Sequence, residues 1–89
     1  MNYESNIPTS EEMRAEVDRI INFKTYSVKE KEDKLLFINA CLQSQLGTDV
    51  SQKTKDHVDL LARIIFRGIK AIDPYVGSRA LRTQDGKEY

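Results

Sequence analysis

The chain has 89 residues, 39% of them hydrophobic and 31% charged, and its net charge at pH 7 is zero. That length supports one domain with a modest core, and the balance excludes both a disordered chain and a membrane-embedded one. Its one cysteine, Cys41, excludes an internal disulfide and any zinc-finger spacing, and it agrees with a reducing compartment.

Residues 1–8 read as a flexible lead. They lack the basic start and apolar run of a secretory signal. The longest apolar run, Leu35 to Ile38, stops at Asn39, far short of the ~18 residues that span a bilayer. A cytoplasmic location is expected.

Thr9-Ser10-Glu11-Glu12 predicts a helix start. Thr9 can accept a backbone N–H of the first turn, and Glu12, three positions on, can reach back to the cap. Met13, Val17, Ile20 and Ile21 follow at helical spacing, and this first, short helix is expected to end near Lys24. Ser27-Val28-Lys29-Glu30 repeats the capping pattern and opens a second, longer helix over Val28 to Leu46. Its main stripe is Val28, Leu35, Ile38, Leu42 and Leu46. Leu36, Phe37, Ala40 and Cys41 fall outside that stripe, so the middle of the helix is apolar nearly all round, which predicts burial on more than one side. Gly47 is placed to close it in a left-handed conformation.

A third start lies at Thr48-Asp49-Val50-Ser51, where several side chains compete for the cap. The third helix is expected to run to Asp73, because the residue before Pro74 is biased away from helical angles. Its stripe is Val50, Val58, Leu61, Ile65 and Ile72, widened by Leu60, Ile64, Phe66 and Ile69 to about 240° of the circumference at the helical period. A helix on the surface of a monomer needs little more than about 100°, so this one asks for neighbours on several sides. Gly68 inside it is either tolerated, at a cost of about 1 kcal/mol against alanine, or marks a close helix crossing.

The sequence therefore predicts an all-α three-helix bundle over residues 9–73 (short, long, longest), with antiparallel second and third helices. A partly ordered basic tail over 74–89 completes it, with Val76 and Leu81 packing back. The excess apolar surface of the third helix predicts a homodimer or higher oligomer built on Leu60, Ile64, Phe66 and Ile69.

No catalytic constellation stands out. His57 is the only histidine and flanks the core stripe, and Cys41 lies in an apolar segment, where cysteine behaves as a small hydrophobe. The four glycines, Gly47, Gly68, Gly77 and Gly86, are too far apart for a phosphate loop. No catalytic residue, metal or cofactor is expected. The hydrophobic spacing from Val17 to Phe66 resembles that of small three-helix regulators of the bacterial biofilm and acid-resistance type, with no signature residue behind it and no residue role implied.

Charge is unevenly divided: residues 1–49 carry six Lys/Arg against nine Asp/Glu, and residues 50–89 carry eight against five. Basic residues gather around Phe66 as Arg63, Arg67 and Lys70, followed by Arg79 and Arg82. This strip is the candidate partner-binding surface. The expected function is that of a small non-catalytic regulator or inhibitor acting on a protein partner. Two alternatives use the same basic residues. One is contact with nucleic acid. The other is an oligomer that holds a small anionic, nucleotide-like ligand beside tyrosines such as Tyr26 or Tyr75.

Overall fold

Thr9 opens α1 (Ser10–Ile21) as its sequence predicts: its side chain accepts the Glu12 N–H at 3.1 Å while the Glu12 carboxylate accepts the Thr9 N–H at 2.8 Å. This reciprocal bonding satisfies two of the N–H groups that every helix start leaves without partners. The computed structural model describes residues 7–46 and 50–84. Within them, α1 ends at Ile21, three residues before the expected Lys24, and Asn22 caps it. Both the backbone and the side-chain amide of Asn22 bond the Asp18 carbonyl, and a short link carrying the stacked rings of Phe23 and Tyr26 follows.

Ser27 and Glu30 form the second capping box, which opens α2 (Val28–Ser44). The expected closure at Gly47 and the cap candidates Thr48 and Asp49 lie outside the described residues. Ser51 caps α3 (Gln52–Ile72), accepting the Thr54 N–H at 3.2 Å, and Val50 precedes the helix rather than joining its stripe.

The chain is all-helical among its described residues, but it has four helices where three were expected. The fourth, α4 (Pro74–Gln84), occupies most of the expected tail. Pro74 was read only as a stop. It is also a favoured first helical residue, because the N–H it lacks has no partner there anyway. Asp73 completes the start: its carboxylate accepts the Val76 N–H at 3.3 Å. The remaining tail residues, 85–89, lie outside the described set.

The helices run up and down in sequence with α3 as the hub. Pro8, just before α1, meets His57 near the start of α3, and Val17 meets Gly68 further along, so α1 runs parallel to α3. α2 runs antiparallel to α3, bringing its Glu32 to Asp73. α4 folds back antiparallel on α3, with Gly77 against Lys70 and Gln84 bonded to the Asp59 carbonyl at 2.6 Å. Each outer helix packs chiefly on α3. The core comprises Met13, Val17 and Ile20 from α1, Leu35 and Leu42 from α2, and Val58, Leu61, Ile64, Ile65 and Ile69 from α3.

This arrangement answers the breadth of the α3 stripe within one chain. The neighbours that the stripe requires are α1, α2 and α4. Ile69 is fully buried and Ile64 nearly so, so of the four residues assigned to an oligomer interface these two already serve the core.

The helix with surplus apolar surface is α2. Its middle was expected to be covered on more than one side, but only the Leu35–Leu42 face is. Leu36 is 40% exposed and Phe37 69%, and Val28 stands outward too. Ala40 and Cys41 lie on the same exposed side. No helix of the described residues is long and apolar enough to cross a membrane.

Candidate functional site

Grooves between the helices of the described residues differ in charge. Between α1 and α2 lies a hollow of about 440 Å³ whose charged lining is Glu16, Arg19, Asp33 and Lys34. These charges balance and are largely satisfied locally. Arg19 pairs with Glu16 at 2.5 Å, and this bond holds the Glu16 carboxyl below the usual range. Lys29 pairs with Asp33 at 3.0 Å. Tyr26 is engaged as well, between the ring of Phe23 and the Lys34 ammonium, which sits 4.7 Å from its centroid.

Between α2 and α4, over α3, runs a groove of about 590 Å³ with an apolar floor of Leu36, Ala62, Phe66, Val76 and Ala80. Its charged residues, Asp59 and Arg79, also balance. The carboxamides of Asn39, Gln43 and Gln84 line its edges.

The third groove, about 330 Å³, lies between α1 and α3. Arg14 stands on the α1 side and Arg63 and Arg67 on the α3 side, against one acid, Asp18. The floor is Val17, Ile21, Ile64 and Ala71, and Leu60, 44% exposed, forms part of the wall. Gly68 lets α1 approach closely here: an added β-carbon would run into Val17 Cγ1. Here the crossing reading of Gly68 holds.

The six basic and aromatic residues of the predicted strip are therefore divided. Arg63 and Arg67 share the α1–α3 groove with Leu60 and Ile64. Phe66, half-buried, joins Arg79 in the α2–α4 groove. Arg79 also lies over the Tyr75 ring, 5.8 Å from its centroid. Lys70 is exposed on the ridge where α4 crosses, and Arg82 is exposed on α4. Sequence reasoning missed Arg14, Asp18 and Ile21. Their spacing of four and three residues puts them on one face of α1, next to the Val17 stripe, and that was the available signal.

No family model matches the chain, and no curated protein or solved structure matches it either.

His57 is tied into the fold: its Nε2 donates to the Pro8 carbonyl at 2.8 Å and fastens the approach to α1 onto α3. Cys41 is exposed on α2, not enclosed among apolar neighbours as the sequence suggested. Among the described residues, no three His, Cys, Asp or Glu side chains gather in a way that could hold a metal ion.

The most unusual titratable group is Glu32. It is 8% exposed, and its Oε1 accepts no hydrogen bond among the described residues. Its carboxyl interacts with that of Asp73 at the end of α3. The Asp73 side chain, with burial, raises the Glu32 pKa, while the Glu32 side chain and the Val76 N–H lower that of Asp73.

Proposed function

We propose that this chain is a small non-catalytic helical module that regulates or inhibits a protein partner by occupying its surface through the α1–α3 groove. The observation behind this reading is the combination of three guanidinium groups, contributed by two helices, with an apolar floor and the exposed Leu60. Arginine beside exposed apolar area is the composition of energetically important contact sites between proteins. Contact with nucleic acid is the weaker reading of the same arginines, because Asp18 stands among them and the apolar floor has no use against phosphates.

The test is capture of partners from native host extract with wild-type chain and an Arg67→Glu variant as parallel baits. Arg67 is exposed, so circular dichroism is expected to show the variant fully folded. A protein held by the wild type and lost from R67E supports the reading. Identical captured sets from both baits, and from Arg14→Glu as well, would remove it.

A second reading rests on a different observation, the outward apolar edge of α2 at Leu36 and Phe37. Two copies pairing through that edge would form a homodimer. Light scattering at tens of micromolar is then expected to give more than the 10.3 kDa of one chain, and Phe37→Glu to return it to the monomer mass. A wild-type monomer mass at that concentration overturns this second reading.

A further inference from the structure

We infer that the hollow between α1 and α2 receives the Phe37 ring of a second copy of this chain, so that two copies pair about a two-fold axis with each ring seated in the other's hollow. This inference rests on the homodimer reading above and names what each copy contributes.

Shape comes first. Phe37 is 69% exposed, and Ala40 and Cys41 stand outward beside it. The same ring lines the α1–α2 hollow, together with Ile20, Ile38 and Tyr26. Phe37 is therefore a projection at the rim of a hole. Such a face is self-complementary under a two-fold rotation: the operation that carries one ring into the partner's hollow also brings the partner's ring into this one. Both rings then leave water in a single event, and neither hollow stays empty.

The lining suits an aromatic guest. Ile20 and Ile38 offer an apolar floor, and Tyr26 stands at the edge of the hollow of about 440 Å³. Tyr26 is already held, stacked on Phe23 with the Lys34 ammonium over its ring. A wall fixed in this way loses little side-chain freedom on binding, and aromatic pairs gain beyond the area they bury.

Charge favours a second copy over a strongly charged partner. The lining holds two acids, Glu16 and Asp33, and two bases, Arg19 and Lys34. Arg19 bonds Glu16, Lys29 bonds Asp33, and Lys34 lies over Tyr26, so covering the face strands no unpaired charge. An acidic or basic partner gains no net attraction from such a face. A copy of the same face brings equal numbers of acids and bases to it, without net repulsion.

The available area sets the strength. α2 has 17 residues and is about 25 Å long, and two helices side by side are about 20 Å wide, so the α1–α2 face offers about 500 Å² on each copy. Two such faces reach the roughly 1,000 Å² at which specific pairing begins. The dimer is therefore a reversible one that responds to concentration.

Sedimentation over a dilution series measures the pairing, and isotope-filtered NOE spectroscopy on a mixed sample locates it. In the mixture one population carries isotope-labelled isoleucine methyls and the other is unlabelled. The wild type is expected to dimerise reversibly, with NOEs from the Phe37 ring of the unlabelled copy to the Ile38 methyls of the labelled one. Phe37→Ala changes an exposed position and is expected to keep the helical circular dichroism of the wild type while losing those NOEs. It is expected to weaken the dimer at least about tenfold, against about twofold or less for Leu36→Ser on the α2–α4 side.

A dimer whose filtered NOEs join Phe37 only to α2 residues outside the hollow overturns the inference and leaves the homodimer reading standing. Equal weakening by the two variants does the same. A wild type that is monomeric in the light-scattering measurement above removes the homodimer reading and this inference with it.

Discussion

Gly77 of α4 rests directly on the backbone of Lys70 in α3, so closely that the space a β-carbon would fill is already taken by the Lys70 Cα and N. Gly68 makes a comparable contact with α1, but there the obstacle is the Val17 side chain. The two contacts differ in what can give way. In an open helix, Gly→Ala stabilises by about 1 kcal/mol, so any loss measured at either site comes from the neighbour. Gly77→Ala meets a main chain and is expected to cost about 3 kcal/mol, the upper end for overpacking. Gly68→Ala, against the stiff β-branched Val17, is expected to cost about 1–2 kcal/mol. Urea unfolding of the two variants measures both, and hydrogen exchange after Gly77→Ala is expected to show faster exchange confined to α4. A Gly77→Ala variant as stable as wild type would contradict the close packing.

The Glu32–Asp73 pair predicts a particular pH response. The Glu32 pKa is raised in the fold, so between its ordinary value and the raised one the folded chain binds more protons than the unfolded chain. Stability therefore falls as pH rises through that window. Asp73, Glu16 and Glu30 are shifted downward. They contribute stability above their ordinary values that is lost as pH falls through the lowered ones. Glu32→Gln keeps a donor toward Asp73 and removes the charge. It is expected to melt above wild type at neutral pH, with the difference closing near about pH 4, where a free glutamate is half protonated. A melting difference that does not change with pH would contradict the raised Glu32 pKa.

The capping boxes offer a smaller, local test. Thr9→Ala and Ser27→Ala each remove one acceptor for an N–H of the first turn and are expected to cost about 1 kcal/mol. The Ser27 variant carries a second signature. Its N–H and hydroxyl groups hold the Glu30 carboxyl below the usual range, and with the hydroxyl gone that carboxyl is expected to titrate closer to a free glutamate in a carbon-detected NMR titration.

Leu61 lies at the centre of α3, fully buried in the core cluster. Leu61→Ala is expected to cost about 2–5 kcal/mol, a large share of the stability of so small a domain. Leu61→Glu is expected to leave the chain unfolded in circular dichroism. By contrast, Phe66→Glu changes a half-buried groove residue and is expected to leave the helices formed.

The helical class, three of the four starts and the breadth of the α3 apolar face were legible in the sequence because each rests on local chemistry. Thr9 with Glu12 and Ser27 with Glu30 announce themselves within four residues, and the α3 stripe declares its own width. What escaped depends on which surfaces meet. Pro74 has the same local meaning whether the chain then wanders or turns into α4, and only the fit of Gly77 against Lys70 decides between them. The α2 surface misled in the opposite direction. Leu36 and Phe37 look like core residues by composition, yet α3 has a limited circumference, and α1 and α4 occupy the places that would have covered them. The strip around Arg63 divided for a related reason. Neighbours in sequence on α3 fall on opposite sides of it once α4 is laid along its length, whereas Arg14, more than fifty residues away in sequence, lines the same groove as Arg67.

The central position of α3 also sets an order of events at the ribosome. α1 and α2 meet each other only sparingly and present their apolar faces chiefly to α3. While the first half of the chain is emerging, Met13, Val17, Ile20, Leu35 and Leu42 have no lasting cover, and they gain it only once Gln52–Ile72 is outside the exit tunnel. This interval is when aggregation or chaperone capture threatens most, and substitutions that slow the formation of α3 will show as lost yield before they show as lost stability.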